Sequence, residues 1–319
     1  MRSTQFNLAA NCAVLLLLIA MLVPVSAHAQ GTPTSGSASA TSREAELEAA
    51  WEAGTKAGTK GPAAIPLIDQ AQMNISPDYF FIPKAEGMRI MRALGNTVQD
   101  ATFVGLVVGT KPKDKWIVVT RYIKDGYIKD DDAKNWNADE LLQNLKDGTE
   151  ESNKDRAERG FPELEVIGWV EKPTYDSASH RLVWSLLSKH KGEPDTGTKG
   201  INYNTYALGR DGYFSLNLLS NSDRISTDKG AAHELLADLA YKSGRNYEDF
   251  NASTDHIAAY GLAALIGGIA AKKLGLFALI SVFALKFAKV IAIGALAFGA
   301  AVIKLFRRRP KSVQPDGPA

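Results

Sequence analysis

The feature that most constrains this sequence is the apolar tail over residues 257–306. These fifty residues contain no Asp, Glu or Pro, and their only charged side chains are five lysines. A hydrophobic segment of this length is typical of a chain held at a lipid bilayer. We therefore expect a C-terminal membrane anchor over residues 256–306 and a basic cytoplasmic tail over residues 307–319.

The sequence is compatible with either one or two membrane crossings. A wholly helical tail would be about 75 Å long, whereas a hydrocarbon core is about 30 Å thick. Lysines at 272–273 and at 286 and 289 divide the tail into apolar runs of fifteen, twelve and fourteen residues. One crossing with an interfacial helix leaves the arginines 307–309 inside, as the positive-inside rule favours. Two crossings, which place them outside, are the alternative.

Small residues and lysines share one face of this predicted helix. Gly261, Gly268 and Gly275 fall within about 40° of one another, beside Lys272 and Lys286. One interpretation is an oligomeric, water-lined assembly in which these glycines pack helices together. The other is a self-packing anchor whose lysines extend to the interface.

The N-terminus has the three parts of a secretory signal peptide. Arg2 precedes an apolar run over residues 13–23, and Ala27-His28-Ala29 supplies a cleavage pattern of small residues. We predict a signal peptide over residues 1–29, with an uncleaved anchor as the alternative. Cleavage would remove Cys12, the single cysteine, so the mature chain would have no disulfide.

Charge is distributed unevenly along the chain. Residues 43–256 carry a net charge of −7, whereas the segment from Ile257 onward holds nine Lys or Arg and one acid, Asp316. This distribution predicts a main domain outside the cytoplasm and a C-terminus inside it. An acidic domain also argues against nucleic acid as a partner.

The region between signal and anchor divides into a leader and a domain. Residues 30–62 are expected to be flexible, with a short helix over 44–52 and a linker formed by the tandem Ala-Gly-Thr-Lys of 53–60. Residues 63–255 form the predicted extracytoplasmic domain. Its strand candidates are 63–69, 71–75, 103–108, 116–122, 164–170, 180–187, 201–208 and 213–219.

Helices and turns are placed by local signals. Residues 83–94 predict a helix, Asn137 and Glu140 form a capping box, Gly148 divides the following helices, and Asp228 caps a later one. Asp125-Gly126 predicts a hairpin turn. Strands on both sides of a helical insertion indicate an α+β fold with a largely antiparallel sheet, to which the transmembrane helical anchor is appended.

The densest group of acids is Asp130, Asp131 and Asp132, close to Asp125. Such carboxylates could bind Ca²⁺ or Mg²⁺, but the spacing lacks the D-x-D-x-D-G loop and its twelfth-position Glu. The alternative is that these acids favour the N-terminus of a helix and stay solvated.

Other sequence signals for chemistry are weak. His233-Glu234 begins a zinc-binding H-E-x-x-H pattern, but Ala237 occupies the position of the second histidine. His180 shows no ligand spacing. We predict no cofactor.

Tryptophans are the remaining candidates for a binding surface. Trp136, Trp169 and Trp184 lie in or beside predicted strands and helices, and could line a groove for a peptide or glycan. Packing in the core explains them equally well.

Several separate motifs, in order, resemble a bacterial membrane-anchored family known as domain of unknown function 2167. They are 127–133 (YIKDDDA), 136–142 (WNADELL), 148–153 (GTEESN), 168–169 (GW), 173–176 (PTYD), 182–184 (LVW), 202–205 (NYNT), 208–210 (LGR) and 259–262 (AYGL). The resemblance runs from Trp51 into the tail and implies an exported, membrane-tethered domain. It carries over no catalytic or binding residue.

Together with the resemblance, these observations predict a bacterial inner-membrane protein whose main domain is periplasmic. They favour a non-enzymatic binding or scaffolding module that contacts an envelope protein, peptide or glycan. One alternative is a metal-assisted hydrolase that uses Asp125 and Asp130, Asp131 and Asp132. Another is a small oligomeric membrane assembly built on the glycine and lysine face of the tail.

Overall fold

A computed structural model describes residues 35–96, 98, 101–158 and 160–267. The strands in chain order are β1 Thr59–Lys60, β2 Ala63–Leu67, β3 Ala71–Ile75, β4 Tyr79–Pro83, β5 Phe103–Gly109, β6 Ile117–Ile123, β7 Tyr127–Lys129, β8 Leu164–Asp176, β9 Arg181–His190, β10 Gly200–Leu208, β11 Tyr213–Asn221, β12 Leu239–Tyr241 and β13 Ile257–Gly261. The α-helices are α1 Ser35–Ala57, α2 Lys84–Ala93, α3 Ala138–Glu158, α4 Ile225–Ala237 and α5 Leu262–Gly267, and short 3₁₀ helices cover Asp131–Lys134 and Tyr247–Asp249.

Within the described residues, a large antiparallel sheet of eight strands organises the fold. Its order is β1-β4-β5-β6-β11-β10-β9-β8. The strands form where β-branched and aromatic residues alternate between faces, as in β6 and β11, which pair along their whole common length. The predicted α+β fold with a largely antiparallel sheet is confirmed.

One face of the sheet packs against α4 and a small sheet of order β12-β3-β2. Tyr203, Phe214, Leu216 and Leu235 are fully buried there. The opposite face carries two separate helical layers. The N-terminal layer, α1 and α2, covers β4 to β6, and the C-terminal layer, α3 and α5, covers the β8 to β10 side.

The N-terminal region is more ordered than predicted. Helix α1 begins at Ser35 and continues through half of the tandem Ala-Gly-Thr-Lys, and β1 then joins the sheet beside β4. A side chain at Gly58 would overlap the Phe80 ring and the backbone of Phe81, so this glycine allows a close approach. The predicted short helix over 44–52 lies within α1, which also includes residues 35–42 of the predicted flexible leader. The predicted linker over 53–60 forms the end of α1 and strand β1 instead. The predicted signal peptide lies outside the described residues.

The helical insertion is one continuous helix, and the predicted break at Gly148 is wrong. Thr149 does not cap a second helix, because its hydroxyl donates to the carbonyl of Leu145 at 2.8 Å. At the start of α3, Asn137 Oδ1 accepts from the backbone N–H groups of Asp139 and Glu140 at 3.0 and 3.4 Å. This confirms that Asn137 caps α3.

Two further local predictions are wrong. Asp228 lies in the first turn of α4 rather than at its N-cap, which is Arg224. Its carboxylate accepts from Ser220 at 2.6 Å and from Arg224 at 3.2 Å. Asp125-Gly126 does not fold β7 back onto β6, because β6 already lies between β5 and β11 in the sheet. Strand β7 pairs instead with β13.

The domain extends beyond its predicted boundary at residue 255. Residues 257–267 form β13 and α5, and Leu262 and Ile266 are essentially inaccessible to solvent. Among the described residues, no helix has both the length and the apolar character needed to cross a bilayer. The remainder of the predicted anchor, from Gly268 onward, lies outside the described residues.

Candidate functional site

The predicted acidic cluster and the start of the predicted anchor meet in the structure. We call residues 257–267 (β13 and α5) the tail root. Strand β13 lies parallel to β7, with Ile257 opposite Tyr127 and Gly261 opposite Lys129. The backbone N–H of Tyr127 also donates to the carbonyl of His256 at 2.8 Å. The first residues of the apolar tail are therefore part of the folded domain.

Asp132 holds the junction between β13 and α5. Its two carboxylate oxygens accept from the backbone N–H groups of Leu262 and Ala263, both at 3.0 Å. A carboxylate at this position satisfies two N–H groups that a helix leaves unpaired and interacts favourably with the helix dipole. A Cβ atom on Gly261 would lie 2.5 Å from Asp132 Oδ2, so the approach requires glycine.

Asp125 forms a second contact with the tail root. The Tyr260 hydroxyl donates to its carboxylate. Burial, then the neighbouring Tyr213 phenol and the Asp125 carboxylate, raise the pKa of Tyr260, so the phenol stays protonated and can donate.

Asp130 belongs to a separate hydrogen-bond chain. Its carboxylate lies 2.9 Å from the Tyr175 hydroxyl, which is also 2.9 Å from His180 Nδ1. His180 Nε2 in turn lies 3.1 Å from a Glu248 carboxylate oxygen. The Tyr175 hydroxyl thus links the Asp130 carboxylate to the His180 ring, and His180 extends the chain to Glu248.

His180 was not singled out by sequence, and its backbone is unusual. It has a φ of +52°, a conformation that favours Gly or Asn at the end of a hairpin loop. Its ring stacks on Tyr247 at 4.0 Å, and Tyr247 stacks on Tyr127 at 4.4 Å. Phe250 covers the other side of Tyr127 at 3.9 Å. The side chain of His180 therefore helps to fix the segment that leads to the tail root.

The four predicted metal ligands thus have different surroundings. Asp132 binds backbone, Asp125 and Asp130 accept from different tyrosines, and Asp131 is exposed in the first turn of a 3₁₀ helix. The described residues hold no group of three or more His, Cys, Asp or Glu side chains arranged to bind a metal ion. Asp125 and Asp132 are the two of these acids that contact the tail root, and we call this pair the clamp.

The predicted groove tryptophans occupy the core of the C-terminal layer. Trp169 and Trp184 pack edge to face at 6.0 Å, and Trp169 Nε1 donates to the carbonyl of Ala138 at 3.1 Å. Trp184 is 6% exposed, and Trp136 packs against the edge of the same cluster. Helix α3 covers this region rather than leaving it open as a groove.

The predicted helix-packing residues are divided between described and undescribed parts. Gly261 faces Asp132 inside the domain, so it is not available to a helix-packing face. Gly268, Gly275, Lys272 and Lys286 lie outside the described residues.

Comparison with known proteins identifies the family. A sequence model described as protein of unknown function (DUF2167) matches residues 59–299. The chain belongs to this family. No curated protein matches it.

Among solved structures, the chain is similar to the solution structure of cyanobacterial PsbP (CyanoP) from Synechocystis sp. PCC 6803. The two share 8% identity with a TM-score of 0.33, and the match covers 58% of this chain and 91% of the other. A similarity of this size supports no conclusion about function.

Proposed function

We propose that this protein is an exported binding or scaffolding module of the bacterial envelope, anchored in the inner membrane by its tail. The observation that carries the proposal is the tail root, which is folded into the domain. Asp132 and β7 hold it in place, and Leu262 and Ile266 are buried beneath α3.

The tail root is part of the folded domain up to the last described residue, Gly267. Helix α5 ends at Gly267, and the sequence continues without a charged side chain to Lys272. An anchor that starts here would hold the domain against the bilayer surface, with the end that carries the tail root facing the lipid. Partners would then be envelope proteins, peptides or glycans within reach of that surface.

Cysteine accessibility tests the anchor and its orientation. Cys12 is the single cysteine, so a Cys12→Ser chain provides a clean background. Ser253→Cys places a thiol on an exposed loop of the domain, and Ser312→Cys places one in the basic tail. We expect a membrane-impermeant maleimide to label Ser253→Cys in intact spheroplasts, and Ser312→Cys only after permeabilisation. Labelling of both without permeabilisation would indicate two crossings, and protection of Ser253→Cys would contradict export.

Photo-crosslinking in cells tests the binding role. Ile257 is a large apolar side chain, 37% exposed, at the start of the tail root, and Ile68 is 47% exposed in the layer on the opposite sheet face. A photoreactive residue at position 257 should give a defined adduct, and the matched residue at position 68 should not. Absence of any specific adduct at position 257 would count against a binding module.

A further inference from the structure

Helices α1 and α2 form a pocket on the surface of the N-terminal layer. Its volume is about 580 Å³, and it opens to solvent. Ligand pockets in proteins commonly have volumes of about 300–1,000 Å³. The lining residues are Ser42, Arg43, Glu46, Arg89, Arg92 and Ala93. Three arginines against one glutamate give the pocket a net charge of +2.

Arg89 already has a carboxylate partner across the pocket. Its Nε and Nη2 atoms donate to the two carboxylate oxygens of Glu46 at 2.7 and 2.9 Å, which joins α2 to α1. A guanidinium group matches a carboxylate in this two-point way because both groups are planar and present two atoms side by side. The space between the helices therefore accommodates a carboxylate in contact with a guanidinium.

One helical turn away, the same two helix faces carry cations only. Arg43 comes three residues before Glu46 in α1, and Arg92 comes three residues after Arg89 in α2. Residues three apart lie on one face of a helix, and both arginines line the pocket. Within the part of the chain that the structure describes, no carboxylate forms an ion pair with Arg43 or Arg92. Both side chains are exposed, so a ligand can reach them.

Phe161 positions Arg43 beside the end of α2. The Arg43 guanidinium lies 5.4 Å from the centre of the Phe161 ring, in a cation–π contact. The same ring packs against Gly95, just after α2, where a Cβ atom would lie 2.4 Å from it. Two arginines that share one pocket repel each other, and an anion between them offsets this repulsion. The last turn of α2 favours a cation at Arg92, but it does not account for Arg43.

We propose that this pocket binds an acidic peptide, whose carboxylates are held by Arg43 and Arg92. The net charge of +2 matches two carboxylates, and the volume exceeds what a single carboxylate group fills. The open side lets the rest of a peptide extend beyond the pocket. Because the pocket lies in the N-terminal layer, binding there does not require the membrane anchor.

Fluorescence anisotropy measures this binding directly. The full chain in maltoside micelles is titrated into tetraglutamate that carries an uncharged dye, at constant ionic strength. We expect saturable binding, because each guanidinium group can form charge-assisted hydrogen bonds with a carboxylate. Tetraglutamine with the same dye should not bind. Failure of tetraglutamate to bind, or equal binding of tetraglutamine, would overturn the proposal.

Competition distinguishes a peptide from a free dicarboxylic acid, which has the same charged groups. Unlabelled tetraglutamate should displace the dye-labelled peptide at a lower carboxylate concentration than succinate does. Equal displacement by the two would overturn the peptide assignment in favour of a small dicarboxylate.

Matched charge variants test the two arginines. Arg43→Gln and Arg92→Gln should each weaken tetraglutamate binding about tenfold or more, since each removes a charge-assisted hydrogen bond. Lys242→Gln removes one positive charge from an exposed position after β12, in the layer on the opposite sheet face, and should leave binding unchanged. An equal loss in all three variants would show a general charge effect and contradict a site.

Thermal unfolding separates a binding role from a structural one. Tetraglutamate at about 100 times its dissociation constant should raise the unfolding midpoint of the wild-type chain by roughly 5 °C. Arg92→Gln should lose this rise without lowering the midpoint of the chain alone, because it removes one of two like charges. A lower midpoint together with an unchanged rise would make Arg92 structural and overturn the assignment.

Discussion

The two helical layers on one sheet face are built from different chemistry. In the N-terminal layer, the described residues of the buried cluster are apolar, with Trp51, Ile90 and Met91 packed against β4 to β6. In the C-terminal layer, tyrosines and tryptophans mix with the aliphatic residues, and several of the tyrosine hydroxyl groups donate to specific oxygen atoms. Tyr247, for example, donates to the carbonyl of Ile128 at 2.7 Å.

This difference shows how the position of each helical layer on the sheet is fixed. Apolar packing is non-directional and tolerates exchange between residues of similar volume. A buried hydroxyl or carboxylate is satisfied by few arrangements, and a misplaced one costs free energy. The layer that contains the tail root is the one whose position is fixed by such bonds.

The largest change in the unfolding free energy is expected when the tail root is removed. A chain that ends at Asp255 should be less stable than one that ends at Gly267 by about 5 kcal/mol or more, because it loses the burial of Leu262, Leu265 and Ile266. Chemical unfolding followed by tryptophan fluorescence measures the difference. Equal stabilities would show that the C-terminal layer does not depend on the tail root.

Asp132 of the clamp and its exposed neighbour Asp131 provide a matched pair of substitutions. Asp132→Ala should cost about 1–2 kcal/mol, because two backbone N–H groups of α5 lose their acceptor. Asp131→Ala should change the unfolding free energy by less than about 0.5 kcal/mol, since the side chain is exposed. If both substitutions instead abolished binding of a divalent cation without affecting stability, the metal-site prediction would be favoured over the clamp.

Acid should affect the C-terminal side more than the N-terminal layer. The hydrogen bond from Arg210, then the backbone N–H of Asn251, lowers the pKa of Asp255 just before the tail root. A carboxyl whose pKa is lower in the folded protein stabilises the fold at pH values above its pKa in the unfolded chain, about 3.9. This stabilisation is lost as the pH falls through the pKa of the folded state. The midpoint difference between wild type and Arg210→Gln should therefore shrink as pH falls from about 6 to about 2.

The control for this pH series is Arg89→Gln in the N-terminal layer. Arg89 forms a two-point pair with Glu46 at 2.7 and 2.9 Å, but both side chains are largely exposed. Solvent screening makes such a pair weak, so Arg89→Gln should have a small effect at every pH. A pH dependence as large as that of Arg210→Gln would remove the distinction between the layers.

The smallest expected effect is a gain in stability. Gly148 lies on the exposed side of α3, and a Cβ atom there would contact nothing within 4 Å. Gly148→Ala should stabilise the chain by about 0.5–1 kcal/mol through helix propensity. A decrease in the unfolding free energy would show that α3 needs the glycine for a reason its packing does not reveal.

The sheet could be predicted because its signals are local. Alternating apolar residues and turn formers marked β5, β6 and β8 to β11 in the sequence. Gly148 was misread because a single glycine costs an exposed helix only about 1 kcal/mol, which the flanking residues of α3 offset.

The clamp could not be predicted because its contacts are distant in sequence. Asp132 and Leu262 are separated by 130 positions, and a run of apolar residues does not show that its first part pairs with β7. The acids of the clamp were recognised as a cluster, but their partners were not. His180 had no distinguishing pattern in the sequence, and only its backbone angle singles it out.

The position of β13 in the chain has a consequence for biosynthesis. Translation completes β7 long before β13, so a nascent chain carries β7 without its neighbour until Gly261 has been made. The eight strands of the large sheet, by contrast, are all synthesised by Asn221. The sheet can therefore assemble first, and the C-terminal layer closes only when the last described residues arrive.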